Sequence, residues 1–112
     1  MKILYKGAQL TIDEHVIEFP QIISKIIPAT QKILVVILSQ ENASLKLMNS
    51  RNVYGVDLFD KRIAWRVSGG IGKFGCTGAS FDGVVLKACG WDECDCDIDI
   101  NTGDIIKKRI GK

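Results

Sequence analysis

Carboxylates are the densest chemistry in this sequence. Asp92, Glu93, Asp95, Asp97, Asp99 and Asp104 fall within thirteen residues that contain no Lys or Arg. Read as a strand over Asp92–Ile100, the segment alternates between two faces. Cys94, Cys96, Ile98 and Ile100 take the core side, and Glu93, Asp95, Asp97 and Asp99 take the solvent side. Carboxylates two residues apart on a strand stand roughly 6.5–7 Å apart, a row of like charge that only opposite charge relieves. Three outcomes are open. Lys107 and Arg109 can neutralise the row from a paired strand, a basic partner can dock on it, steered by its field, or a cation can bind.

A calcium loop is excluded at its two diagnostic places. Asp97-Ile98-Asp99-Ile100-Asn101 has the opening alternation, but the sixth position is Thr102 instead of Gly and the twelfth is Lys108 instead of Glu. Gly70-Ile71-Gly72-Lys73-Phe74-Gly75 spells G-x-G-x-x-G, which holds a pyrophosphate only where a helix opens behind it. Here Cys76-Thr77-Gly78-Ala79-Ser80 follows, with no helical pattern. The expectation is a flexible surface loop over Ser68–Gly83, with Lys73 and Phe74 as contact residues for a partner.

Cys76, Cys89, Cys94 and Cys96 have the spacing C-x₁₂-C-x₄-C-x-C, which matches no common zinc pattern. Cys94 and Cys96 read as core residues, and Cys76, in the loop, as the thiol open to reagents. The single histidine, His15, has no nucleophile marked beside it. No catalytic residue, metal or cofactor is therefore expected.

These side chains must be carried by strands. The chain has 112 residues, 46% hydrophobic and 25% charged, which suits one globular domain spanning residues 1–112. A net charge of +2, few aromatics and scattered cations give no footprint for nucleic acid or membrane. No secretory signal or membrane span is visible, so the cytoplasm, with reduced thiols, is the expected compartment.

Short Ile- and Val-rich runs bounded by turn residues predict an almost entirely β protein. Strands are expected at Lys2–Tyr5, Leu10–Asp13, Val16–Phe19, Ile22–Ile27, Ile33–Ser39, Val53–Asp57, Ile63–Val67, Val84–Ala88, Asp92–Ile100 and Ile105–Ile110. A short helix between Glu14 and Lys25 is the alternative there. The unbroken apolar run at Ile33–Ser39 predicts burial on both faces, and Gln40–Asn52 reads as a loop.

An internal repeat is visible. Tyr54-Gly55-Val56-Asp57, a turn and Ile63 match Cys96-Asp97-Ile98-Asp99, a turn and Ile105, with both Asp57/Asp99 and Ile63/Ile105 spaced by 42 positions. A four-strand period of that size is a propeller blade. The chain would hold roughly two and a half blades, fewer than the four or so that close a ring. It is thus an antiparallel meander forming a partial, or half, β-propeller with open edges. Lys107, Lys108, Arg109 and Lys112 would guard one of them.

Asn52-Val53-Tyr54-Gly55-Val56-Asp57 with Ile63-Ala64-Trp65-Arg66-Val67 resembles a quinoprotein-type propeller blade. So does Phe81–Ala88 with Gly90-Trp91-Asp92 and Ile98–Ile105. The same order of pieces occurs in small half-propeller-like bacterial proteins, some of them immunity proteins of contact-dependent growth inhibition systems. The resemblance spans roughly Ile22 to Lys108. The sequence departs from the blade pattern at Lys61, where a turn Gly is usual, and at Cys94-Asp95-Cys96, where aromatics are common. The resemblance implies a protein that neutralises a cognate toxin domain, often a nuclease, by covering its basic active site. Glu93, Asp95, Asp97 and Asp99 would stand in for phosphate, flanked by Asp92 and the glycine-rich loop over Ser68–Gly83. The alternative from the residues alone is a non-catalytic adaptor that pairs through an exposed edge strand.

Overall fold

A computed structural model describes residues 1–39, 50–72, 75–90 and 94–110. In chain order these form β1 (Ile3–Lys6), β2 (Gln9–Ile12), β3 (His15–Glu18), β4 (Ile23–Pro28), β5 (Ile33–Leu38), β6 (Val53–Asp57), β7 (Arg62–Arg66), β8 (Cys76–Phe81), β9 (Val85–Gly90), β10 (Cys94–Asp99) and β11 (Ile105–Ile110). No helix occurs among the described residues, so none is long and apolar enough to cross a membrane. The stretch between Glu14 and Lys25 is not helical: it contains β3 and the start of β4. Most of the expected loop at Gln40–Asn52 lies outside the described residues.

The strands make three antiparallel meanders: β1-β2-β3, β4-β5-β6-β7 and β8-β9-β10-β11. They stack through two apolar layers. Leu34, Val36 and Leu38 of β5 face the first sheet, packing with Leu10, Ile12 and Tyr54. Ile33, Val35 and Ile37 face the third, packing with Leu86, Cys96 and Ile98. The middle sheet is thus covered on both sides, which is why β5 reads as a continuous apolar run.

The repeat is structural. Lys61 N–H donates to the Asp57 carbonyl at 2.7 Å, and Gly103 N–H donates to the Asp99 carbonyl at 2.9 Å. Asp57 Oδ1 accepts from the Phe59 N–H, and Asp99 Oδ1 accepts from the Asn101 N–H. Lys61 and Gly103 both adopt left-handed backbone, at φ 56° and 80°. Asp13, at φ 55°, does the same in the last turn of the first sheet. β7 and β11 are therefore counterparts, and among the described residues the first sheet has three strands where the others have four.

Trp65 locks the second sheet to the third. Its indole N–H donates to the Ile100 carbonyl at 2.9 Å, and its ring lies against Gly55 and Gly103. Buried Asn52 makes the second tie: its amide donates to the carbonyls of Leu38 (2.7 Å) and Cys76 (3.0 Å) and accepts from the Cys76 N–H (2.7 Å).

The loop expected over Ser68–Gly83 is corrected. β8 begins at Cys76, and before it Ile71 is fully buried, its N–H donating to the Ser50 carbonyl. Glycine is poor in strands, so composition hides β8. Packing of Cys76, Ala79 and Phe81 on the core pays for it.

Candidate functional site: the two ends of the sheet stack

The third sheet closes one end of the stack. On β10, Cys96 and Ile98 are buried, which turns Asp95, Asp97 and Asp99 to the outer face, as alternation requires. Asp92, Glu93, Lys73 and Phe74, expected partner contacts, lie outside the described residues, as does the side chain of Cys94.

The acidic row is largely answered from within. Arg109 grips Asp97 with two N–H groups, at 2.9 and 3.3 Å, and Lys87 Nζ stands 3.6 Å from the same carboxylate. The Arg109 hydrogen bond, helped by the charges of Arg109 and Lys87, holds the Asp97 carboxyl below its ordinary range despite desolvation. Lys87 also reaches Asp82, at 3.9 Å, so charges alternate along Asp82, Lys87, Asp97 and Arg109. Asp99 is occupied by its turn. Asp95 is exposed and has no ion pair among the described residues.

Of the three outcomes for the row, neutralisation by Arg109 holds for Asp97. Lys87 is an addition that sequence reasoning missed. The signal was present: it lies between inward Leu86 and Ala88, on the strand that pairs with β10, directly opposite Asp97.

The thiols are placed differently from the expectation. Cys76 is buried, and burial pushes its thiol up to about 12. Cys89 is the exposed one. His15 is exposed on β3. Among the described residues no group of three or more His, Cys, Asp or Glu stands close enough to hold a metal ion.

The first sheet closes the other end and differs in kind. Its outer face carries Leu4, Thr11 and Val16 side by side, with Leu4 at 56% and Val16 at 55% exposure. Next to them run Lys6, Gln9 and Glu18, the last two joined by a hydrogen bond of 2.8 Å. Leu4, Tyr5, Lys6, Gln9 and Thr11 line a shallow depression of about 400 Å³ along β1. One end of the stack thus carries interlocked charges with Val84 and Ile106 exposed beside them, and the other carries Leu4 and Val16 exposed among polar side chains.

Comparison with solved structures places the fold among propellers. The chain superposes on BamB from Moraxella catarrhalis with a TM-score of 0.68 at 12% identity, covering 99% of this chain and 35% of that one. It superposes equally on the computationally designed Ika8 protein, with a TM-score of 0.68 at 11% identity, covering 98% of this chain and 36% of that one. The chain thus spans about a third of the length of either structure. At such identities the likeness shows the fold, a partial β-propeller. No curated protein matches the sequence. The pattern of one family matches residues 1–110, and the chain belongs to that family, the domain of unknown function DUF7957.

Proposed function

We propose that this chain is a non-catalytic module that binds another protein through its first sheet. The observation that carries this reading is the exposed apolar pair Leu4 and Val16 on the outer face of the first sheet, flanking Thr11. Terminal units of stacked architectures turn a polar outer face to water. The third sheet carries Asp82, Lys87, Asp97 and Arg109 there, with Ile106 exposed beside them. The first sheet exposes Leu4 and Val16 on its outer face. Contiguous apolar surface of this kind marks an interaction site. Buried thiols at Cys76 and Cys96 suit a reducing compartment, and we assign the module to the cytoplasm.

Toxin neutralisation, which the family resemblance implies, is the second reading. Exposed Asp95 favours it: this carboxylate is available to a basic site, such as the phosphate-binding centre of a ribonuclease. It stands amid Lys107 and Arg109, however, so the outer face of the third sheet is mixed in charge.

Site-specific photo-crosslinking separates the two. A photoreactive residue is placed at Leu4, Val16 or Asp95, and the chain is co-produced with the polypeptide encoded beside it. Crosslinks from positions 4 and 16 support the first-sheet reading. Crosslinks from position 95 alone, in a complex that weakens with salt, replace it with the second.

A further inference from the structure

Among the described residues the first sheet has three strands where the others have four, and β1 is one of its edges. Three observations describe what would pair with it. First, among the described residues no strand pairs with the outer edge of β1. The Asp13 N–H donates to the Lys2 carbonyl at 2.8 Å, and the ladder runs from Ile3↔Ile12 to Lys6↔Gln9. An antiparallel ladder alternates bonded and non-bonded pairs, so the N–H and C=O of Ile3 and Tyr5 turn away from β2, toward the open side. Two other edges are guarded by several charges, with Arg62 and Arg66 on β7 and Lys107, Lys108 and Arg109 on β11. The centre of β1 is Ile3-Leu4-Tyr5.

Second, apolar surface that a fourth strand would cover remains open. Ile26 of β4 packs on the layer between the first two sheets but is only partly buried. Tyr5 of β1 is 44% exposed. Third, the charge pattern is specific. Alternation places Lys2, Leu4 and Lys6 on the outer face, successive residues roughly 6.5–7 Å apart. Neither lysine has an ion pair among the described residues.

We infer that β1 receives an extended segment of the partner protein as an antiparallel fourth strand, with the alternation acidic–x–apolar–x–acidic. Carboxylates pair with Lys2 and Lys6, the apolar residue rests by Leu4 over the depression, and the intervening residues cover Tyr5 and Ile26. Main-chain hydrogen bonds to Ile3 and Tyr5 supply affinity, and the outer row supplies specificity. This rests on the protein-binding reading above and names its mode. A second copy of β1 does not fit: with Leu4 opposite Leu4, Lys2 of one chain would oppose Lys6 of the other.

The test is fluorescence anisotropy at low salt with a labelled, end-blocked peptide, Thr-Glu-Val-Leu-Val-Glu-Thr. Two controls are run: the same peptide with both Glu replaced by Lys, and one N-methylated at both Val. The Glu peptide binds, the Lys peptide binds about tenfold more weakly, and N-methylation removes binding. The double variant Lys2→Glu/Lys6→Glu, with an unchanged circular dichroism spectrum, reverses the preference. Equal affinity for the Glu and Lys peptides, indifference to N-methylation, or no binding of the Glu peptide up to about 1 mM overturns the inference. If the peptide fails while positions 4 and 16 still crosslink the neighbouring polypeptide, strand addition alone falls. If both fail, the first-sheet reading falls with it.

Discussion

Trp65, on the last strand of the second sheet, packs against Gly103 in the last turn of the third, so closely that a Cβ at Gly103 would stand 2.5 Å from the indole. Gly55 is tighter still against the same ring. Gly103 also needs its left-handed φ of 80°, so two constraints meet at one residue. Gly103→Ala is expected to destabilise by more than about 2 kcal/mol. In a Trp65→Leu background the same change should cost less, because the ring it strikes is gone. Urea midpoints followed by circular dichroism for the two singles and the double measure this coupling. Strict additivity would show that the ring does not seat there.

Asn52 is the second tie between the sheets. Asn52→Ala leaves the Cys76 N–H and two carbonyls without their side-chain partner in a buried place. The expected loss is about 3 kcal/mol, read from the same denaturation curves. A loss under about 0.5 kcal/mol, the usual size at an uninvolved surface site, would contradict the buried geometry.

Acid should weaken the fold through Asp57. Its carboxylate accepts from the Asp60 and Phe59 N–H groups, each at 2.9 Å, and lies 3.8 Å from Lys32 Nζ. The Asp60 bond foremost, with the Phe59 bond and the Lys32 and Arg62 charges, outweighs burial and holds the carboxyl below its ordinary value of 3.8. A depressed folded-state value stabilises above the unfolded value and loses that contribution as pH falls through the folded one. Stability should therefore decline below about pH 4, and Asp57→Asn should flatten that decline. Denaturation series at several pH values test it. An unchanged slope in the variant would remove Asp57 from the account.

Thiol mapping tests the inversion of Cys76 and Cys89. Brief alkylation near pH 8 should label Cys89, while Cys76 and Cys96 stay protected until the protein unfolds, as read by peptide mass spectrometry. Burial of Cys76, which pushes its thiol up to about 12, leaves almost no thiolate to react. Labelling of Cys76 ahead of Cys89 would place β8 wrongly.

Much of this molecule is written in local pattern. Alternation on β10 assigns Cys96 and Ile98 to the core and Asp95 and Asp97 to the outer face, because side chains on a strand have a period of two whatever lies beyond. The unbroken run of β5 announces a strand covered on both sides. The spacing of Asp57 and Asp99 reveals equivalent turns, since the same short-range hydrogen bonds recur wherever the same residues do. The departure at Lys61 also becomes legible: the turn keeps its left-handed residue, with Lys in place of Gly.

Other features depend on which strands become neighbours. β8 is rich in glycine and is held by the core it joins, so its own residues do not declare it. Arg109 grips Asp97 diagonally although the ladder sets it opposite Asp95, and Lys87 arrives from the other side. Whether the acidic row is free or neutralised was therefore decided by sheet order, which composition does not contain. The edge position of β1 is tertiary in the same sense. A four-residue strand reads alike whether its edge is paired or open, and only the sheet order of the described residues shows β1 at an edge.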